Sequence, residues 1–463
     1  MNSLIADFGR AIVAQDGYAL SATVSPIPPK HDSGRLYALH RDTNAFSAQS
    51  DFRFAITRNS SFHLDKQESN AWIDVFVAYW KAVGEILIAE ESLNQVKSTS
   101  KNSGAGANWD RVYAAWKDVL NAVYKGYQNG SFEAWTIPCL YVTGKYLRVF
   151  AIKADDSAAS NKNGAAFNSG YEDDLADEEG GNEKLEDAAR QINRIFGLCI
   201  SDRAQLAESR KWGLYYITNL LFKTYFKLNS VSLSKNILRS LSAAGSDMPP
   251  LTAFPQSHQV TYHYYVGVIH FLDENYPKAE ENLQAAYSQS LATSTRNIQL
   301  ILTYLIPTKL LTSHLLPTEA MLVPYPSLQQ LFAPLSACIR KGDLAGFDAA
   351  LQAGEDEFVK RRIYLTLERG RDVCLRNLFR KVYLAGGYEA AKEGQDAGER
   401  VRRSRIPIAE FAAALKLAGE KEVEGDEVEC LIANLIYKVC WTRRGTSIHH
   451  CKLRTKLTCR RTL

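Results

Sequence analysis

The stretch 338–383, CIRKGDLAGFDAALQAGEDEFVKRRIYLTLERGRDVCLRNLFRKVY, decides the fold class. It reads as three consecutive amphipathic helices, rich in arginine and without a catalytic constellation, which points to an assembly surface rather than an active site. Gly342 and Asp343 punctuate the first break. Asp343 is placed to cap a helix whose apolar positions Leu344, Phe347, Ala350 and Leu351 recur at helical spacing. If 363–384 is one continuous helix, a turn of about 100° per residue sets Arg362, Arg369, Arg376 and Arg380 within about 20° of one line. The expectation is a basic stripe along an apolar rod.

Upstream of this stretch the helical pattern persists. VTYHYYVGVIHFLDENYPKAEENLQAAYSQS (260–290) places Gly267, Ala279, Leu283 and Ala286 at the spacing of the small residues in a tetratricopeptide hairpin, with Tyr276 and Pro277 marking the turn. Small side chains there let two helices approach closely. RNIQLILTYLIPTKLLTS and YPSLQQLFAPLSACIRKG follow at compatible lengths, so stacked helical pairs are expected, with Pro307 kinking or ending its helix. Before them, helical spacing resumes near Leu185 and runs to Ala244, until three prolines in MPPLTAFPQ (248–256) break it. Three further helical patterns lie at 72–90, 109–127 and 135–153. Asn108 is available to cap the second, and Trp72, Trp80, Trp109 and Trp116 fall on packing faces.

Composition bounds the function. The chain has 463 residues, 46% hydrophobic and 23% charged, which is ordinary globular protein with length for two or three cores. The most apolar long stretch, 72–89, is interrupted by Asp74, Lys81 and Glu85, so no membrane span is expected. The start, MNSLIADFGR, has no basic segment leading into an apolar core, and eight scattered cysteines form no small-domain disulfide pattern; both favour an intracellular setting. The net charge of +4 is unevenly spread. Residues 155–187 are acidic and Gly/Asn/Ser-rich, a solvated linker, whereas after Glu429 no acidic residue occurs. There is no phosphate-binding Gly-rich loop with its lysine, no G-x-S-x-G elbow and no H-E-x-x-H helix, so no enzyme, cofactor or small-molecule substrate is expected. Cys440, His449, His450, Cys451 and Cys459 lack the paired spacing of a zinc site, and no metal is expected.

At the C-terminal end, Ser404 and Pro407 stand before a short apolar helix reaching Leu417. VECLIANLIYK then sets Val428, Leu431, Ile432, Leu435 and Ile436 on one face. Two short helices at this spacing form the body of a helix-turn-helix or a winged helix. KRRIYLTLERGRDVCLRNLFRKVYLAGG (360–387), with ILTYLIP, CIRKGDLAGFDAAL and DEVECLIANLIYK, closely resembles the PCI-domain proteins of the COP nine signalosome subunit twelve family, relatives of the PCI subunit of the transcription-coupled mRNA-export complex. The likeness extends over WGLYYITNLLFKTYF and CLYVTGKYLRVFAIKAD and so covers most of the chain. It implies a mostly α protein, a TPR-like helical-repeat stack followed by a C-terminal PCI winged-helix domain. The organisation expected is an N-terminal helical region (1–153), an acidic linker (154–187), helical repeats (188–340), PCI helices and winged-helix core (341–438) and a tail (439–463). The tail departs from the family pattern. VCWTRRGTSIHHCKLRTKLTCRRTL offers no alternating strand pair, so the wing is missing or altered, as a changed reading frame, retained intron or splice variant would leave it.

The resemblance implies a non-catalytic scaffold subunit of a nuclear complex coupling transcription or splicing to mRNA export, with the cytoplasm as a second place of residence. Its implied partners are another PCI or GANP-like scaffold, a small acidic DSS-type protein, and RNA or DNA. The residues offered for phosphate contact are Lys360, Arg361, Arg362, Arg369, Arg376, Arg380 and Lys381, together with Arg402, Arg403 and Arg405 before the winged-helix core. The competing reading has several of these arginines pairing with Glu355, Asp356, Glu357, Glu368 or Asp372 to lock helices together. The alternative function is an architectural subunit of the signalosome, or of a proteasome-lid-like complex, without nucleic-acid binding.

Overall fold

Every regular element among the described residues is a helix, as the periodicity demands; the one exception is an isolated bridge residue, Tyr388. The computed structural model describes residues 1–59, 61–98, 108–163, 181–388, 403, 405–420 and 424–442. No described helix is long and apolar enough to cross a membrane. The chain divides into two units, Met1–Tyr265 and Val266–Leu463, each described by itself below.

The first unit begins with four short helices, α1 (Asn2–Ala14), α2 (Gly17–Thr23), α3 (Arg35–Asp42) and α4 (Ala48–Thr57). They lie against the long helices α5 (Lys66–Ser98), α6 (Trp109–Gln128) and α7 (Pro138–Asn163). Aromatic burial holds this layer together. Phe8 meets Phe62, Trp72 and Phe76 edge-on at 5.5, 5.3 and 5.1 Å, the geometry that ring quadrupoles favour. Trp116, fully buried, donates its indole N–H to the Thr143 carbonyl at 2.9 Å, which satisfies the one polar atom of its side chain. All four tryptophans assigned to packing faces are buried. Asn108 caps α6 as expected, accepting from the Arg111 amide.

Helix α7 runs on to Asn163, and α8 (Glu183–Ile200) starts inside the stretch read as linker; residues 164–180 lie outside the described residues. The physical reason is a cap supplied across the interval. Asp155 on α7 accepts from the amides of Lys184 and Leu185, satisfying donors that the first turn of α8 would otherwise leave open. Helices α9 (Leu214–Lys227), α10 (Val231–Ala243) and α11 (Gln256–Leu272) follow, and the boundary between the units falls inside α11.

The second unit bears out the small-residue reading. A Cβ on Gly267 would sit 2.7 Å from Leu283 Cγ, and Ala279, Leu283 and Ala286 are fully buried on α12 (Tyr276–Gln289). The turn itself lies earlier than expected. Glu274 takes the left-handed φ of 58°, whereas Tyr276 and Pro277 already belong to the first turn of α12, where proline loses no hydrogen bond. Pro307 does not end α13 (Thr295–Thr312). Ile301, Leu302, Leu305, Ile306 and Leu310 are buried on both sides of it, and this packing outweighs the one missing backbone bond. A short α14 (Glu319–Leu322) leads into α15 (Pro326–Lys341), which Gly342 closes in the left-handed conformation at φ 70°.

Candidate functional site

The decisive stretch folds into more and shorter helices than its periodicity suggests. After Asp343, whose carboxylate accepts from the Gly346 amide, come α16 (Leu344–Ala353), α17 (Glu355–Lys360), α18 (Tyr364–Glu368) and α19 (Arg371–Ala385). The continuous helix 363–384 is therefore not formed, and the straight line of Arg362, Arg369, Arg376 and Arg380 does not exist. Two breaks account for it. At the first, Ile363 N–H donates to Phe358 O at 2.9 Å and Arg362 N–H to Val359 O at 2.9 Å, a Schellman end with Arg362 left-handed at φ 57°. Phe358 and Ile363, both fully buried, supply the apolar contact that accompanies this motif. At the second break Gly370 lies where a Cβ would come within 2.6 Å of Leu310 Cδ2, so the chain turns tightly against α13.

Most of the basic residues are occupied within the protein. Arg361 pairs with Glu357 at 3.2 Å, one turn away on α17. Arg369 sets one guanidinium nitrogen on both Glu274 carboxylate oxygens at 3.0 and 2.9 Å and donates another to the Tyr276 hydroxyl at 3.3 Å. Lys381 donates to the Lys341 carbonyl at 2.8 Å, which is the lone-pair-rich end of α15. Arg376 donates to the Asn377 side chain at 3.3 Å. Arg403 pairs with Glu410 at 3.3 Å, just ahead of α20 (Ile408–Leu417). Arg371, absent from the residues the sequence offered, clasps Asp348 on α16 at 3.0 Å and also Glu420 beyond α20. Of the acids named in advance as partners, Glu357 is the one these pairs use; Glu274, Asp348, Glu410 and Glu420 are remote in sequence and only the fold brings them near. Lys360, Arg380 and Arg405 are exposed and make no ion pair among the described residues. Arg402 lies outside the described residues.

The two short helices expected at the C-terminal end are present as α20 and α21 (Gly425–Thr442), and α19 packs on α20 through Phe379 and Phe411, edge-on at 5.0 Å. The end of α20 is tied to the start of α16 by an Ala345 N–H bond to Ala418 O at 3.0 Å. The apolar face expected on α21 is only half used: Val428 and Leu435 are buried, Leu431 and Ile432 half-buried, and Ile436 exposed. Among the described residues no element covers the rest of this face, and a helix buries a stripe only where another element covers it. Leu417 at 91% exposure, with Tyr437, Leu384 and Tyr388, leaves apolar surface on this part of the unit. The N-cap at α20 is Pro407; Ser404 and the tail from residue 443 lie outside the described residues. Cys440 sits in α21, while His449, His450, Cys451 and Cys459 are outside, and the described residues hold no cluster of metal-ligating side chains.

No family model matches the chain. The chain is 55% identical over 442 residues to "Protein CSN12 homolog" of Neurospora crassa, covering 95% of this chain and 94% of that relative. It is 49% identical to the protein of the same name from Gibberella zeae, with 95% and 94% covered. It is also 32% identical to "PCI domain-containing protein 2" of Danio rerio, with 72% and 75% covered. Identity sustained over nearly the full length of both partners, joined to a helical stack that ends in the two expected helices, places the chain in the CSN12 family of PCI-domain proteins.

Proposed function

We propose that this protein is a non-catalytic architectural subunit of a signalosome-like complex, assembling with other PCI-domain scaffolds. The carrying observation is how the basic side chains of residues 360–403 are spent: Arg361, Arg369, Arg371 and Arg403 hold helices of the protein itself, while apolar side chains around α20 and α21 stand uncovered. A charge already paired adds little to phosphate affinity, whereas apolar surface left exposed among the described residues suits protein contact. Purification of the tagged chain from its own cells, with mass spectrometry of its partners, tests this. Recovery of signalosome-type PCI subunits supports the reading. A monomer carrying none of them refutes it.

The exposure of Lys360, Arg380 and Arg405 favours a second reading, a nuclear scaffold in mRNA export that touches RNA or DNA beside the winged helix. That reading brings with it a GANP-like scaffold and a small acidic DSS-type protein as partners. It requires affinity for single-stranded RNA that falls steeply with salt and weakens when these three residues are replaced by alanine. RNA affinity absent at low salt removes this second reading and leaves the first standing.

A further inference from the structure

In the first unit a cleft of about 310 Å³ opens between α2, the proline-rich turn that follows it, and the first turns of α7. Its wall is tyrosine. Tyr141 and Tyr216 stack at 4.1 Å, and His258 from α11 stands edge-on to both at 5.8 and 5.1 Å. Tyr18 and Tyr146 also line it, beside small and apolar side chains of α2 and α7; Tyr18 is 61% exposed. Gly17 fixes α2 hard against the floor, since a Cβ there would fall 2.0 Å from the Trp135 carbonyl.

Some polar groups of this cleft are spent, the Tyr141 hydroxyl donating to the Trp212 carbonyl at 3.1 Å and the Ser21 hydroxyl to the Tyr18 carbonyl at 2.8 Å, and others are not. His258 is only 8% exposed, yet its Nδ1 has no hydrogen-bond partner, an arrangement that costs stability unless something else supplies one. The Tyr146 and Tyr216 hydroxyls make no hydrogen bond to the described residues. Burial, with Tyr146 and Tyr18 close by, pushes the Tyr216 phenol up to about 12, so it stays a proton donor. Lys145 lies over the Tyr146 ring at 5.1 Å without an acidic partner among the described residues. No aspartate or glutamate lines the cleft. The site thus offers one cation, hydroxyl donors and aromatic surface, in a volume at the small end of ligand pockets.

We propose that this cleft binds a single nucleotide, its base against the Tyr18 and Tyr216 side and its phosphate held by Lys145 and the neighbouring phenols. A flat anion matches each feature: base–aromatic stacking tolerates any base, and a lysine with hydroxyl donors holds phosphate. Isothermal titration of the full chain with 5′-AMP tests it. Saturable binding is expected, weakened about tenfold or more by Lys145→Gln and by Tyr18→Ala, both exposed positions whose replacement leaves the core intact. Adenosine and inorganic phosphate, each lacking half of the ligand, bind more weakly. Replacing Lys360, Arg380 and Arg405 leaves AMP binding unchanged, which separates this site from any nucleic-acid contact in the second unit. No binding of AMP up to about 5 mM overturns the proposal, as does equal affinity of the Lys145→Gln protein, or phosphate binding as tightly as AMP.

Discussion

The layer of α5, α6 and α7 and the short helices between residues 343 and 385 solve the same problem, fixing helices against one another, by different means. In the first, helices of 33, 20 and 26 residues bury large aromatic side chains, and each needs little help from its ends. In the second, helices of 10, 6, 5 and 15 residues bury one to four large apolar groups each. They depend on caps, left-handed turns and ion pairs between segments far apart in sequence. Helices of five or six residues lie below the length at which propensity alone sustains them. The lesson is that long amphipathic helices carry their own instructions, whereas short ones are held by contacts that sequence periodicity does not record.

The largest effect expected from this contrast is in the aromatic layer. Trp116→Ala removes a fully buried indole together with its bond to the Thr143 carbonyl, at a cost of about 3–5 kcal/mol in urea unfolding followed by circular dichroism. A loss below about 1 kcal/mol would break the claim that aromatic burial dominates this layer. Next is Gly342→Ala, which forces a side chain into φ 70° with its Cβ 2.8 Å from the Leu378 backbone; about 2 kcal/mol is expected. A neutral outcome would mean that the end of α15 relaxes freely and that turns are not what fixes the second region.

An ion clasp also exists in the first unit, and pH sharpens the comparison there. Burial alone would push the Asp202 carboxyl up, but Arg210, through its side chain and amide, and Ser209 hold it at about 2. A folded value below the unfolded one of 3.8 gives stability that is fully present above about pH 4 and lost as pH falls through 2. After solvent screening the clasp contributes about 1 kcal/mol, and Asp202→Asn should flatten the acid limb of a urea midpoint series by that amount. The smallest effects belong to exposed charges. Arg371→Ala, which opens both the Asp348 and the Glu420 contacts, should cost about 0.5–1 kcal/mol, and Arg380→Ala less than about 0.5 kcal/mol. Equal losses at the two positions would show that the ion pairs are decoration and that apolar contacts alone hold the short helices.

Legibility followed the same division. Trp109, Val112, Trp116, Val119 and Val123 announce α6 by spacing, and Asn108 announces its start. Within the helical region 1–153, α1–α4 are not individually legible, although Leu4, Ile5, Phe8 and Ala11 carry the same signal and Asp16 caps α2; short segments among prolines and serines conceal it. Gly342 and Arg362 form one kind of turn, yet only the glycine shows it, because arginine in the left-handed region leaves no mark on composition. For the candidate basic residues, no spacing rule could say that Arg369 faces Glu274, some 95 residues away.

Sequence by itself determined the helical class, the close approach at Gly267, the main helical segments and, through long continuous runs of similarity, the family. These depend on periodicity and on residue size, which are local properties. Only the tertiary structure decided where the arginines go, that α19 starts at Arg371 rather than at 363, and that four tyrosines and a histidine from α2, α7, α9 and α11 meet in one cleft. Those outcomes depend on which distant surfaces become neighbours, and an amino-acid pattern along one chain does not encode that distance.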